Sequence, residues 1–209
     1  MSSLDHPILL ESFNIILNRI TPTGLGSCQE DVLVRLIHAS GDFRLSDHLR
    51  FSPAACASAL ESLANRVSII TDTRMATAAI TPMVERTFRN QVICILDYLP
   101  KDSNNFNTKS AAGMTLALSQ YPNSLVLVGS SPTALDAATD FYSQSTHTSP
   151  LVIGMPVGFV GVTSSKRKLA QATSIPQIRI EGSRGGAGLA SATLNALLRR
   201  AWLDQQANG

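Results

Sequence analysis

The sequence predicts an α/β protein, an open, mostly parallel sheet flanked by helices (doubly wound, Rossmann-like) and preceded by an N-terminal helical segment. Three observations carry this. From about residue 67, short β-branched runs alternate with helix-periodic segments, the pattern of right-handed crossovers onto a parallel sheet. Before that point the apolar residues recur at helical spacing. The chain has 209 residues, 44% hydrophobic and 15% charged, enough for one well-buried core and a single domain over 1–209.

Ile8, Leu9, Phe13, Ile16 and Leu17 predict a first amphipathic helix, followed by the loop Thr21-Pro22-Thr23-Gly24-Leu25-Gly26. Ser27 and Glu30 form a capping-box pattern that starts a second helix, reaching about His38. Ser52-Pro53 offers an N-cap and a first-turn proline for a third helix through about Leu63. Five strands are expected: Val67–Ile70, Val92–Leu96, Leu125–Val128, Leu151–Ile153 and Gln177–Ile180. Helices are expected around 73–80, 108–119, 132–142, 164–172 and 187–202, with an exposed loop from about Leu99 to Asn107. In such a fold ligands bind where strands end. Arg74, Asp97, Ser130, the Gly154–Gly161 turn and the Arg184-Gly185-Gly186 turn are therefore expected on one rim.

The composition excludes several classes of function. A formal net charge of +2, with no clustered basic run interleaved with aromatics, gives no footprint for nucleic acid. No stretch approaches the ~18 to 20 apolar residues of a membrane helix. No signal peptide is visible, so a cytoplasmic location is expected. Cys28, Cys56 and Cys94 are odd in number and far apart in sequence, which argues against a disulfide framework and a thiolate metal site. No metal site is expected from the histidines either, because none shows ligand spacing.

The two glycine-rich turns carry the strongest signal. Arg184-Gly185-Gly186-Ala187-Gly188 can present backbone N–H groups and a positive helix end to a carboxylate or phosphate. The same residues read equally as a tight turn with close helix–strand packing. The dinucleotide fingerprint does not fit, since it belongs after the first strand with an acidic residue roughly 20 positions on. His38, near a helix end, fits either a structural role that complements the helix dipole or a proton-transfer role near neutral pH. Arg74, at a strand end, suits a ligand carboxylate or a plain surface position, and Asp72 reads as a helix cap. Lys109, in a first helical turn, is poorly placed for the dipole and hints at ligand contact.

Taken in order, Arg35-Leu36-Ile37-His38-Ala39, Phe51-Ser52-Pro53 and Thr71-Asp72-Thr73-Arg74-Met75 resemble the precorrin-8X (cobalt-precorrin-8) methylmutase family of cobalamin biosynthesis. The resemblance continues through Val92–Asp97, Ser131-Pro132-Thr133-Ala134-Leu135, Gly154-Met155-Pro156-Val157-Gly158-Phe159-Val160-Gly161, Ser165-Lys166, Arg184-Gly185-Gly186 and Leu194-Asn195-Ala196-Leu197. It spans nearly the whole chain. It implies an isomerase that moves a methyl group between adjacent ring-C carbons of a tetrapyrrole, giving hydrogenobyrinate or its cobalt equivalent. It implies no organic cofactor, a homodimer, and a cleft near the subunit interface. By the same resemblance His38 is the proton donor and Ser12 touches substrate. Arg74, Lys109, Ser130, Arg184, Gly185 and Gly186 are the expected carboxylate binders, with Met155 and Phe159 offering apolar surface to the ring. Three positions depart from the family pattern: Ser130 stands for a usual asparagine, Lys109 for a common arginine and Ser164 for a common glutamate. A tetrapyrrole-binding or carrier protein without turnover is the alternative on the same fold, and a nucleotide-using enzyme a third reading.

Overall fold

The computed structural model describes residues 4–21, 24–99 and 108–208. Two helices come first, α1 (Pro7–Leu17) and α2 (Ser27–Ser40). A 3-10 stretch, Phe43–Asp47, then leads into β1 (Leu49–Phe51) and α3 (Ala55–Ala64). From there strands and helices alternate: β2 (Ile69–Thr71), α4 (Arg74–Arg86), β3 (Val92–Cys94) and α5 (Lys109–Gln120). β4 (Leu125–Val128), α6 (Pro132–Gln144), β5 (Val152–Gly154), α7 (Val162–Gln171), β6 (Gln177–Ile180) and α8 (Ala187–Asn208) complete the order. The expected loop around Leu99–Asn107 lies almost wholly outside the described residues.

The strands form one sheet in the order β1-β6-β5-β4-β2-β3. β2 through β6 pair in parallel, so the expected open, doubly wound α/β sheet is what forms. The chain winds from β2 outward to β3 and then back across to β4, so the strand order reverses between β2 and β4. A crevice opens at such a reversal, outside the carboxyl ends of the two strands.

β1 was not anticipated. It pairs antiparallel with β6, Leu49 opposite Ile180 and Phe51 opposite Ile178. Ser52 prolongs this ladder and does not cap a helix: its N–H donates to Gln177 O and its Oγ accepts from Gln177 N, both at 2.9 Å. α3 therefore starts later, behind Ala54. The second helix also starts differently from expectation. Gly26 is its N-cap, and Gln29 Oε1 reaches back to the Gly26 N–H at 3.1 Å.

Period-two alternation sorts the buried strand residues into two layers. On one face Leu125 and Leu127 of β4 meet apolar residues of α2, α3, α4 and α8, among them Leu36, Leu63, Ile80 and Leu197. On the other, Val126 and Val128 meet Met114 of α5, Leu135 of α6 and Leu169 of α7. Both faces of the sheet are covered, which is why the central β4 reads as a continuous apolar run. No helix among the described residues is long and apolar enough to cross a membrane.

Candidate functional site

His38 lies in the last turn of α2, which Gly41 ends in a left-handed conformation (φ 68°), its N–H donating to Ile37 O. The imidazole Nδ1 is 2.8 Å from the Ser12 hydroxyl of α1, and the ring meets the edge of Phe13 at 5.7 Å between centroids. α1 is fastened in turn by Arg199 of α8, which donates to both Asp5 carboxylate oxygens at 2.8–2.9 Å and stacks over Phe13. Burial, then the Arg35 guanidinium, lowers the His38 pKa below the usual histidine value. Beside His38 is a shallow depression of about 280 Å³ lined by Arg35, Ala79, Gly188, Ser191 and Asn195. It joins α2 and α4 to the first turns of α8.

The turn that feeds α8 is built by close approach. Gly186 N–H donates to Met155 O at 2.8 Å, and a Cβ on Gly185 would sit 2.1 Å from that oxygen. Only glycine fits there. Gly129, at the end of β4, likewise leaves no room for a Cβ against Ala187 of α8. Lys166 of α7 is buried beneath the same turn, its ammonium donating to Gly182 O at 2.8 Å and Arg184 O at 2.5 Å. Burial alone lowers this lysine to about 8.

At the β2/β4 reversal Asp72 is almost fully enclosed. Its Oδ2 accepts from the N–H groups of Ser130 and Ser131 at 2.6 and 2.9 Å, while Oδ1 has no partner among the described residues. Burial raises its pKa and the hydrogen bonds oppose that shift. The expected helix cap is thus a brace across the crevice; Thr73 caps α4 instead, accepting from Ala76 N–H. The starts of α5 and α6 are tied by Thr108, Thr133 and Ser131, with Thr108 Oγ1 2.6 Å from Thr133 Oγ1.

The predicted site residues are placed as follows. His38 and Ser12 come together, so Ser12 orients the imidazole. Arg74 is exposed at the start of α4 but paired with Asp97 at 2.6 Å. Arg184 turns toward the 3-10 segment, its Nη1 2.7 Å from His48 Nε2 and its Nε 3.9 Å from Asp42. Lys109 is exposed at the first position of α5, and Ser130 holds the rim of the crevice through its N–H. Phe159 is 96% exposed and offers free apolar surface. Met155 is a correction. Its side chain is fully buried, with the Thr193 hydroxyl against its sulfur, so it offers the turn a carbonyl and a ligand nothing. Cys28 and Cys56, both free, hydrogen-bond to each other between the first turns of α2 and α3. That contact and burial hold the Cys28 thiol far above its ordinary pKa.

Sequence reasoning missed Lys166, Asp72 and Asn195 as site residues. Lys166 had a visible signal: Val162, Ser165, Lys166 and Leu169 share one helix face at i, i+3, i+4, i+7 spacing, and all are buried. Asn195 Nδ2 donates to Ala79 O at 3.1 Å, and its Oδ1, like that of Asp72, is buried without a partner among the described residues.

Fold and rim together define a doubly wound α/β protein in which a histidine paired with a serine hydroxyl borders a depression at the start of α8. Comparison with known proteins narrows the class. A profile of the precorrin-8X methylmutase family matches residues 7–200, and the chain belongs to that family. It is 35% identical to a Synechocystis protein named cobalt-precorrin-8 methylmutase, over 98% of this chain and 100% of that one. A Pseudomonas aeruginosa protein named precorrin-8X methylmutase is 34% identical over 91% of this chain and 93% of its own length. The crystal structure of a precorrin-8X methylmutase from Thermus thermophilus superposes with a TM-score of 0.87 at 34% identity, covering 94% of this chain and 96% of that one.

Proposed function

We propose that the protein is a precorrin-8X or cobalt-precorrin-8 methylmutase, an isomerase of cobalamin biosynthesis with His38 as its proton donor. The observation that carries the reading is the Ser12–His38 pair beside the α2–α4–α8 depression, in a chain whose relatives bear that activity in their names. As an imidazolium, His38 donates Nδ1–H to Ser12, which leaves the Nε2 proton for the conjugated macrocycle. Protonation weakens the bond between the migrating methyl and its ring-C carbon. That bond breaks as the bond to the neighbouring carbon forms, and the proton returns to the imidazole. No atom is gained or lost. What remains is holding the macrocycle in a reactive pose.

The substrate carries several acetate and propionate carboxylates. Arg74, Lys109, Arg184 and the peptide N–H groups around Ser130, Gly185 and Gly186 are the proposed contacts, with Phe159 against the ring. Arg74 and Arg184 are held in place by Asp97 and by His48 with Asp42, so each meets a carboxylate already ordered. A homodimer is part of this reading. It is supported by the apolar strip Val157, Phe159 and Val160, 50%, 96% and 88% exposed, more than a lone surface loop ordinarily shows. Cobalt, where present, arrives within the substrate.

The test is incubation of the purified protein with precorrin-8X and with its cobalt form while the absorption spectrum is followed. Appearance of the hydrogenobyrinate or cobyrinate spectrum is expected. His38→Ala is expected to bind the macrocycle with no turnover, and full turnover by that variant would remove the histidine from the mechanism. A stable spectral shift without product in the wild-type protein would point to a binding protein instead.

A further inference from the structure

A buried ammonium needs a reason. Lys166 is 3% exposed, and both of its hydrogen bonds go to peptide carbonyls. Enclosing a charge without a counter-charge is costly, and an apolar side chain of the same length would fill the space on α7 at less expense. The nearest acid lining the same hollow, Glu181, is occupied by Arg50 at 3.1 Å and Arg179 at 3.7 Å. What the charge does here is visible in the turn above it.

The two carbonyls it holds belong to alternate peptides, Gly182–Ser183 and Arg184–Gly185. No described peptide bond is cis, and in a trans peptide the N–H points opposite to the C=O. The N–H groups of Ser183 and Gly185 therefore both face away from α7. The peptide between them is turned otherwise: Ser183 O accepts from Gly158 N at 3.2 Å. Gly186 N–H is taken by Met155 O. Neither the Ser183 nor the Gly185 N–H donates to any described residue.

We propose that Lys166 is a positioning residue: by clamping the Gly182 and Arg184 carbonyls it aims the Ser183 and Gly185 N–H groups as a paired donor for one substrate carboxylate. The inference rests on the methylmutase reading for the identity of the ligand, though not for the clamp itself. Two N–H donors on alternate peptides, both on the side away from the lysine, can serve one carboxylate, and the ammonium behind them adds a favourable field. Deprotonating Lys166 leaves a neutral amine that holds the two carbonyls more weakly and supplies no field, so the cradle binds best in the charged form. The charged and titratable groups around the lysine are Arg167 and Lys168 on α7, Asp136 and Asp140 on α6, and Arg179, Glu181 and Arg184 on β6 and the turn. Asp42 and His48 lie beyond Arg184. Of these Asp140 is paired with Lys168 and Glu181 with two arginines, which leaves burial as the cause that brings the lysine to about 8.

The experiment compares the wild-type protein with Lys166→Met and Lys166→Arg from pH 6.5 to 9.5. In the wild type KM should climb as pH passes about 8, with kcat little changed. Lys166→Met should show a KM raised about tenfold at pH 7 and flat with pH, as for loss of a uniform binding contact. Lys166→Arg, which does not titrate in this range, should keep KM nearer the wild-type value up to pH 9.5. On the unliganded protein, the carbonyl ¹³C resonances of Gly182 and Arg184 should titrate with a midpoint near 8 in the wild type and stay fixed in Lys166→Arg. An unchanged KM in Lys166→Met, or the same alkaline rise in Lys166→Arg, would overturn the proposal. Carbonyl resonances that do not titrate would overturn it as well. Absence of turnover in the wild type would instead count against the methylmutase reading, with the carbonyl titration still testing the clamp.

Discussion

Alanine at position 185 is the most direct challenge to the turn before α8. Its Cβ would stand 2.1 Å from Met155 O and 2.8 Å from Pro156 O, both backbone atoms. An ordinary C···O contact is about 3.3 Å, so the two segments must part by about 1 Å. Met155 cannot yield readily, because its N–H is tied to Val128 O at 2.9 Å and its side chain is buried. The turn must move, and it loses the 2.8 Å bond from Gly186 N to Met155 O. That bond is worth about 1 kcal/mol and the backbone strain about 1–3 kcal/mol, together roughly 2–4 kcal/mol. For a chain of this size the melting temperature should fall by about 5–15 °C. A rim displaced by about 1 Å should lower kcat/KM on the order of a hundredfold. Gly188→Ala is the control for stability alone, since a Cβ there meets nothing within 4 Å and helix propensity gains up to about 1 kcal/mol. Calorimetry on both variants, beside steady-state kinetics on Gly185→Ala and the wild type, makes the assay. A Gly185→Ala protein that melts with the wild type and keeps its kcat/KM would refute the close-approach argument.

Two further predictions follow from the titratable groups. Because burial and Arg35 lower the His38 pKa, the free enzyme loses its proton donor at a pH below the ordinary histidine value; kcat/KM should therefore fall as pH rises through that range, and a profile that rises there would exclude His38 as the acid. Asp72, with its pKa raised by burial, contributes stability at low pH that is lost as pH climbs through its folded value. Asp72→Asn keeps an acceptor for Ser130 and Ser131 and removes the buried charge, so at pH 7 it should unfold within about 1 kcal/mol of wild type. Asp72→Ala, which orphans both N–H groups, should lose roughly 2–3 kcal/mol; urea titration separates the two.

β2 to β5 were legible because both faces of the sheet are covered and they stand out as mainly apolar runs between turn residues, whereas β6, Gln177-Ile178-Arg179-Ile180, showed only its two isoleucines before a glycine turn. β1 was not legible. Leu49-Arg50-Phe51 is three residues long and owes its strand character to a partner some 130 positions away, which no local pattern encodes. Ser52 misled for the same reason: beside Pro53 it looks like a helix cap, and its hydroxyl is in fact spent on β6. In the site, the residues that glycine or helix position announces were readable, namely His38 and the Arg184-Gly185-Gly186 turn. The direction of the Arg184 side chain was not, because it depends on Asp42 and His48 across the β1 side of the molecule. Lys166 was hidden by its neighbours, since Lys166-Arg167-Lys168 reads as a solvated basic face until the helical stripe is drawn through it.

Both outer strands of the sheet are three residues long: β1 carries Arg50 at its centre, and β3 runs directly into the 3-10 stretch Ile95–Asp97. At about 3.3 Å per residue each edge offers roughly 10 Å of free backbone, too little to recruit a strand from another molecule. An assembly of this chain is thereby steered away from a continuous intermolecular sheet and toward its loops and helices. A contact made there can reshape a ligand-bearing rim without altering the register of the strands that support it.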